Sequence, residues 1–212
     1  MSPGSIARRV LGERLFSIVG DAYRSVFVDF DRVRRHLPDF QDGATIVDIG
    51  GGDGAFLNVL LSGRPDIAVT IVDIAPNIGG SLESEFRDQV TLVPGTSLDE
   101  YAAERTDRPD WILISDVVHH IPVGERARFL ESVANFIGDA DCSIVVKEVQ
   151  PSTPRARLAW FADRYVSGDQ NVVFIPVDRM QQRLAVALPD FGCDHTGLLD
   201  EDGLNYSLVC SR

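Results

Sequence analysis

Ile46-Val47-Asp48-Ile49-Gly50-Gly51-Gly52-Asp53-Gly54-Ala55-Phe56-Leu57 is an apolar, β-branched run that leads straight into a glycine cluster and then into a helical pattern. β-branched side chains suit a pleated surface, and glycines reach positive φ with no Cβ in the way. A loop of this kind brings backbone N–H groups against a bound molecule, beside the first turn of a helix. About twenty residues on, Ile71-Val72-Asp73-Ile74 ends a second apolar run and sets a carboxylate at the tip of the neighbouring strand. In an open α/β sheet, ligands lie beyond the carboxyl ends of the strands, where an acid accepts hydrogen bonds from ribose hydroxyls. Strand, glycines, helix, strand and acid, in that order, point to a nucleoside site.

Which nucleoside is a separate question. Gly50-x-Gly52-x-x-Ala55 also satisfies the dinucleotide fingerprint, so an NAD(P)-dependent oxidoreductase is one reading. Asp48 speaks against it. A carboxylate two residues before the first glycine would face a pyrophosphate, which Coulomb's law disfavours, whereas it suits a ligand that carries an ammonium group. The spacing of Gly50, Gly52 and Gly54 is also two throughout, not two and then three.

The rest of the chain alternates in the same way. Short apolar runs at 45–49, 68–72, 90–93, 111–114 and 143–149 predict strands, with helices expected at 54–61, 78–86, 98–105 and 124–137 between them. Continuous apolar strands separated by helices indicate an α/β fold whose parallel sheet is covered on both faces. Two helices are expected before the sheet, at 6–19 and 21–37, the second ended by Pro38. Beyond it come a helix at 154–167, an extended piece at 172–175 and a helix at 179–188 with Asp178 as N-cap. Runs at 195–199 and 204–210, parted by Asp200-Glu201-Asp202-Gly203, read as a closing antiparallel hairpin.

Asp48-x-Gly50-x-Gly52-x-Gly54 resembles the first motif of the class I S-adenosylmethionine (SAM) methyltransferases, and the resemblance runs from about residue 45 to the C-terminus. It implies a Rossmann-like, seven-stranded, mostly parallel sheet with an antiparallel C-terminal hairpin and helices on both faces. The three consecutive glycines, followed by Asp73-Ile74-Ala75-Pro76, are most similar to the small-molecule O-methyltransferases. By this resemblance SAM is the cofactor. Asp48, Gly50, Gly51, Gly52 and Gly54 hold its methionine part, Asp73 with Ile74 its ribose, and Ser115 and Asp116 lie at the tip of the fourth strand beside it. The family usually has Gly-Asp after the third strand to meet the adenine amino group. This chain has Gly95-Thr96-Ser97 instead, so Thr96 and Ser97 are the side chains available there, as neutral and weaker partners.

The same resemblance makes His119 the general base, with His120 in the place of the family's Asp, in Ser115-Asp116-Val117-Val118-His119-His120. Methyl transfer is a direct displacement, so alignment and exclusion of water are the main tasks, and a histidine base matters chiefly for a hydroxyl acceptor. The expected reaction is transfer to a hydroxyl, or secondarily an amine, of a small metabolite. A protein of this fold that binds SAM without methyl transfer is the other alternative. No metal is expected, because Lys147-Glu148-Val149-Gln150 stands where metal-dependent relatives place an Asp-Asn pair. Substrate contacts are expected from the parts outside the common core. Residues 1–40 form a helical cap carrying Tyr23, and residues 41–212 form the SAM-binding domain. Within it, an insertion at about 151–176 carries Trp160, Phe161, Arg164 and Tyr165, with Leu158, Phe161, Ala162, Tyr165 and Val166 as an apolar stripe. The long N-terminal dimerisation domain of the larger O-methyltransferases is not expected, and both monomer and homodimer stay open.

Composition narrows the partners. The 212 residues carry a formal net charge of −12, which repels nucleic-acid phosphates over most of the surface. No apolar run approaches the ~18 residues of a membrane span, and no signal core is present at the N-terminus, so a cytoplasmic location is expected. Cys142, Cys193 and Cys210 are widely spaced and odd in number, and are expected to be reduced packing residues.

Overall fold

The computed structural model describes residue 34 and residues 37–105, 108–162, 164, 170–198 and 203–212. The helices expected before residue 38 and the candidate residues Tyr23 and Tyr165 lie outside the described residues. Seven strands form one sheet: β1 (Thr45–Ile49), β2 (Ala68–Asp73), β3 (Val90–Pro94), β4 (Trp111–Ser115), β5 (Ser143–Val149), β6 (Gly192–Leu198) and β7 (Asn205–Ser211). Their order is β3-β2-β1-β4-β5-β7-β6. The first five are parallel, while β7 runs antiparallel to both β5 and β6. The chain winds outward from β1 to β3 and then returns to β4 on the other side of β1. The tips of β1 and β4 therefore part at a switch point, where α/β sheets hold ligands.

Side chains alternate across the sheet with period two, which divides the core between its faces. Val47, Ile49, Ile112, Ile114, Ile144 and Val146 point to one face. There they meet α2 (Leu98–Glu104), α3 (Arg126–Ile137) and α5 (Val177–Ala187) through Leu98, Tyr101, Leu130, Val133, Phe136, Met180 and Leu184. Ile46, Val69, Ile71, Leu113 and Val145 point to the other and are covered by Leu57, Leu60 and Leu61 of α1 (Ala55–Leu61). A short α4 (Pro154–Ala162) follows β5 and buries Ala156 and Ala159.

Four expectations need correction. The helix expected at 78–86 is absent, and only a 3₁₀ turn at Ser84–Gln89 forms. The backbone there bonds to the glycine loop instead of to itself: Gly79 N–H donates to Gly52 O (2.9 Å) and Ser81 N–H to Asp53 O (2.8 Å). The last helix begins at Val177 with Pro176 as its N-cap, so Asp178 lies inside its first turn. The first strand of the closing hairpin begins at Gly192, three residues before the expected start at 195, and of the stripe meant for substrate Leu158 and Phe161 are largely exposed. Finally, Cys193 and Cys210 form a disulfide. They are register partners on adjacent antiparallel strands, a proximity that their separation of 17 residues conceals. Cys142 remains a buried thiol that burial pushes up to about 12, consistent with a packing role.

Residues 171–176 run beside the sheet without joining it. Val173 N–H donates to His119 O (3.0 Å), and the buried Tyr206 hydroxyl of β7 donates to Ile175 O (2.9 Å). Among the described residues no helix is long and apolar enough to cross a membrane. Tyr206→Phe leaves the Ile175 carbonyl without its buried donor, and should lower the unfolding free energy by about 1–3 kcal/mol in urea titrations. A loss below about 0.5 kcal/mol would show that another group satisfies the carbonyl.

Candidate functional site

A cavity of about 620 Å³ opens at the switch point. Its wall includes Ile49 and Gly50 from the end of β1, Val72, Asp73 and Ile74 from β2, and Thr96, Ser97, Leu98 and Asp99 after β3. Asp116, Val117 and His120 after β4 complete it, with Phe129 of α3 and Asn171. The strand tips thus deliver side chains from four separate loops to one place.

Glycine is required at two points of the β1 loop. Gly50 has φ +73°, and a Cβ on it would stand 2.8 Å from Val117 Cγ2. A Cβ on Gly51 would collide with the Asp48 carboxylate, which tucks beneath the loop. Asp73 then fastens this loop to the next. Its Oδ2 accepts from Gly52 N–H (3.0 Å) and its Oδ1 from Ala75 N–H (2.8 Å). Each carboxylate oxygen keeps a second lone pair for a ligand. Asp48 is 2% exposed, and its Oδ1 has no hydrogen-bond partner. Burial, reinforced by the charge of Asp73, raises its pKa to about 7.

Thr96 and Ser97 reach the cavity wall with their hydroxyls already engaged. Thr96 Oγ1 donates to Pro94 O (3.2 Å), and Ser97 closes a capping box with Glu100 at the start of α2. Asp99, in the first turn of the same helix, also lines the cavity and lies 4.0 Å from Arg128 Nη2. It is an acid on the cavity wall that the motif reading missed, a few residues after Gly95.

The loop after β4 is held from beneath by β5. Glu148 is fully buried, and its Oε1 accepts from Val118 N–H (2.7 Å) while its Oε2 lies 2.5 Å from His119 Nδ1. The neighbouring Lys147, 1% exposed, sets its Nζ 2.5 Å from Asp116 Oδ2. The strand sequence Ile144-Val145-Val146-Lys147-Glu148-Val149 carried the signal, because two adjacent charges inside an apolar run must find partners on both sheet faces. His119 is buried and stacks 4.1 Å from His120, which lines the cavity, and 5.1 Å from Phe174. Arg126, 2% exposed, ties the loop to residues 171–176 by donating to Ile121 O (2.9 Å), His119 O (3.1 Å) and Val173 O (2.7 Å). Burial lowers its pKa from the ordinary guanidinium value.

Asp116, His119 and Glu148 offer ligand atoms within 4.8 Å of one another, the spacing of a cation site. The Lys147 ammonium already supplies the positive charge at Asp116, and His119 and Glu148 already satisfy each other. Of the expected substrate residues, Trp160 donates its indole N–H to Val172 O (3.0 Å) and carries Arg164 over its ring at 5.3 Å. Trp160 and Phe161 line a second cavity of about 470 Å³ with Pro151, Val172, Val173 and Phe174.

The raised pKa of Asp48 has a definite sign for stability. Its folded value, about 7, lies above the ordinary 3.8, so the neutral form fits the fold and the contribution is lost as pH rises from the lower value to the higher. The melting temperature of the ligand-free protein should therefore fall between about pH 4 and pH 7 and level off above that, and Asp48→Asn should remove that part of the fall. Parallel pH profiles for the two proteins would place the titration elsewhere.

Comparison with known proteins agrees with this architecture. The demethylspheroidene O-methyltransferase of Rhodobacter capsulatus is 28% identical over 137 residues, covering 58% of this chain and 33% of that protein. The O-methyltransferase SfmM3 of Streptomyces lavendulae is 27% identical over 138 residues, covering 65% of this chain and 41% of that protein. The chain thus spans well under half the length of these two relatives. Among solved structures, an O-methyltransferase family protein from Burkholderia thailandensis superposes with a TM-score of 0.73 at 16% identity, covering 99% of this chain and 63% of that one, a likeness of fold. A family model described as a methyltransferase domain matches residues 21–185. With most of its length inside that match, and a glycine loop and acid at the switch point of a seven-stranded sheet, the chain belongs to the methyltransferase-domain family.

Proposed function

We propose that this chain transfers a methyl group from SAM to a hydroxyl of a small molecule, without a metal ion. The observation that carries the reading is the buried His119–Glu148 pair, one residue from a cavity walled by Gly50, Asp73 and Asp116. The names of the two relatives, both O-methyltransferases, support it. A dinucleotide is not favoured. The phosphate-facing position is taken by a buried carboxylate, Asp48, whose unpartnered oxygen calls for a proton or a cationic group.

SAM, when bound, supplies a methyl group on a positively charged sulfur. The cavity fits such a molecule. Asp73 accepts the ribose hydroxyls on the lone pairs left by Gly52 and Ala75, and Ile74, 78% exposed, offers the base an apolar face. Asp48, under Gly51, complements the ammonium of the methionine part. At the adenine end Asp99 stands in for the family's acid, since the hydroxyls of Thr96 and Ser97 are engaged.

His119 acts as the base. With Nδ1–H donated to Glu148, the neutral imidazole carries its lone pair on Nε2, which takes the acceptor's hydroxyl proton as the oxygen becomes nucleophilic. The imidazolium so formed is stabilised by the Glu148 carboxylate, which is fixed by Val118 N–H and cannot swing away. Trp160 and Phe161, with Arg164 over the Trp160 ring, border the acceptor from the second cavity, whose Phe174 lies against His119.

Calorimetric titration should show SAM binding and no NAD binding. Asp73→Asn should weaken SAM at least tenfold, about 1.4 kcal/mol, and an effect below twofold would put the ribose elsewhere. On a panel of phenols and aliphatic alcohols, His119→Gln should cut turnover by about 10²-fold or more with SAM affinity unchanged. Glu148→Gln should cost less and keep the same affinity. An unaltered rate in His119→Gln would remove that residue from the chemistry.

A further inference from the structure

We propose that Asp116, backed by Lys147, lets the cavity distinguish the positively charged methyl donor from its neutral product, S-adenosylhomocysteine; this rests on the cavity being the SAM site. Asp116 is the only non-glycine residue with positive φ among those described, at +58°. The left-handed region is uphill for a residue with a side chain, and it persists where the surroundings enforce it. Here they do so twice: Asp116 N–H donates to Lys147 O (2.9 Å), and Asp116 Oδ2 meets Lys147 Nζ at 2.5 Å. The side chain is held on the cavity wall beside Gly50, Val117 and His120, with an Oδ1 that is buried and has no hydrogen-bond partner. Lys147, 1% exposed, balances the charge from within the sheet, so the carboxylate is the part of the pair that the cavity meets.

The order of residues along the wall gives Asp116 its task. Thr96, Leu98, Asp73, Gly50 and Asp116 all line the cavity, and on the binding mode proposed above the base lies by Thr96 and Leu98, the ribose on Asp73 and the methionine part from Gly50 onward. The sulfur, one carbon beyond the ribose, would then reach the stretch between Gly50 and Asp116. A sulfonium has no N–H or O–H to donate. It is attracted to a carboxylate by charge alone, and that attraction ends when the methyl group leaves. Adenine, ribose and the amino-acid part are common to donor and product, so Asp73 and Asp48 favour both equally. A carboxylate facing the sulfur tells them apart, and such a carboxylate also eases release of the product.

The test is calorimetric titration of the wild type and Asp116→Asn with SAM, S-adenosylhomocysteine and sinefungin, whose C–NH₃⁺ replaces the sulfonium. The wild type should bind SAM and sinefungin at least tenfold more tightly than the neutral product. Asp116→Asn should lose most of that preference while its affinity for the neutral product changes less than twofold. Asn is close in shape and tolerates left-handed backbone, and retained product binding reports an intact fold. Equal weakening of all three ligands would mean that Asp116 meets the amino-acid part, and would overturn the inference. So would a wild-type preference near one, which needs no variant to measure. A wild type that binds none of the three would instead overturn the SAM site itself.

Discussion

Two charged side chains inside β5 fix the part of the molecule on which its chemistry turns. Lys147 and Glu148 are adjacent, point to opposite faces of the sheet, and each latches a different piece of the loop after β4. Neither is there for stability alone, because desolvating an ion pair costs about as much as the pair returns and breaking it strands a buried charge. What the arrangement supplies is position. Asp116 is held in a backbone conformation it would otherwise leave, Val118 is pinned by its N–H, and the His119 ring is fixed against Glu148. Arg126 secures the same loop through the His119 and Ile121 carbonyls and ties it to Val173, so 116–121 is held by two separate elements.

The glycine loop depends on a different economy. Its backbone is shaped less by its own turns than by Asp73, whose two oxygens draw Gly52 and Ala75 towards the same carboxylate. The segment after β2 is then recruited to the loop, with Gly79 and Ser81 bonding to Gly52 and Asp53. That is why residues 78–86 are not the helix their spacing suggests. Helix propensity is a matter of tenths of a kcal/mol per residue, and two backbone hydrogen bonds to a neighbouring loop, with Gly79 and Gly80 to hand, outweigh it.

The first five strands were legible because each is a short run dominated by β-branched and other apolar residues, so their starts can be read off the chain. The acid and glycines at the tips of β1 and β2 were legible for a related reason: few sequences put them in that order without a ligand to hold. What stayed hidden is pairing between strands distant in the chain. Nothing in the spacing of Cys193 and Cys210 announces that antiparallel register makes them neighbours. Likewise Glu148 and His119 are 29 residues apart, and only the β4–β5 register, with Ser115 opposite Lys147, brings them together. Asp99 escaped because its signal is three-dimensional, one helical turn from where a motif would place it.

Electrostatics then explains why the three aspartates at and just beyond the ends of β1, β2 and β4 differ in their surroundings. Asp73 spends its charge on two backbone N–H groups, while Asp116 meets an ammonium at Oδ2 and leaves its Oδ1 without a partner. Asp48 has neither, and burial beside Asp73 pushes it towards the neutral form. A fold selected for stability alone would place an apolar residue there, as it does at Val47 and Ile49 on either side. An acid retained under a glycine loop, at a cost the fold itself does not recover, is the mark of a partner that brings positive charge with it. A pyrophosphate brings the opposite. The sign of the missing charge, more than the glycine spacing, separates the two kinds of nucleoside that this architecture is able to hold.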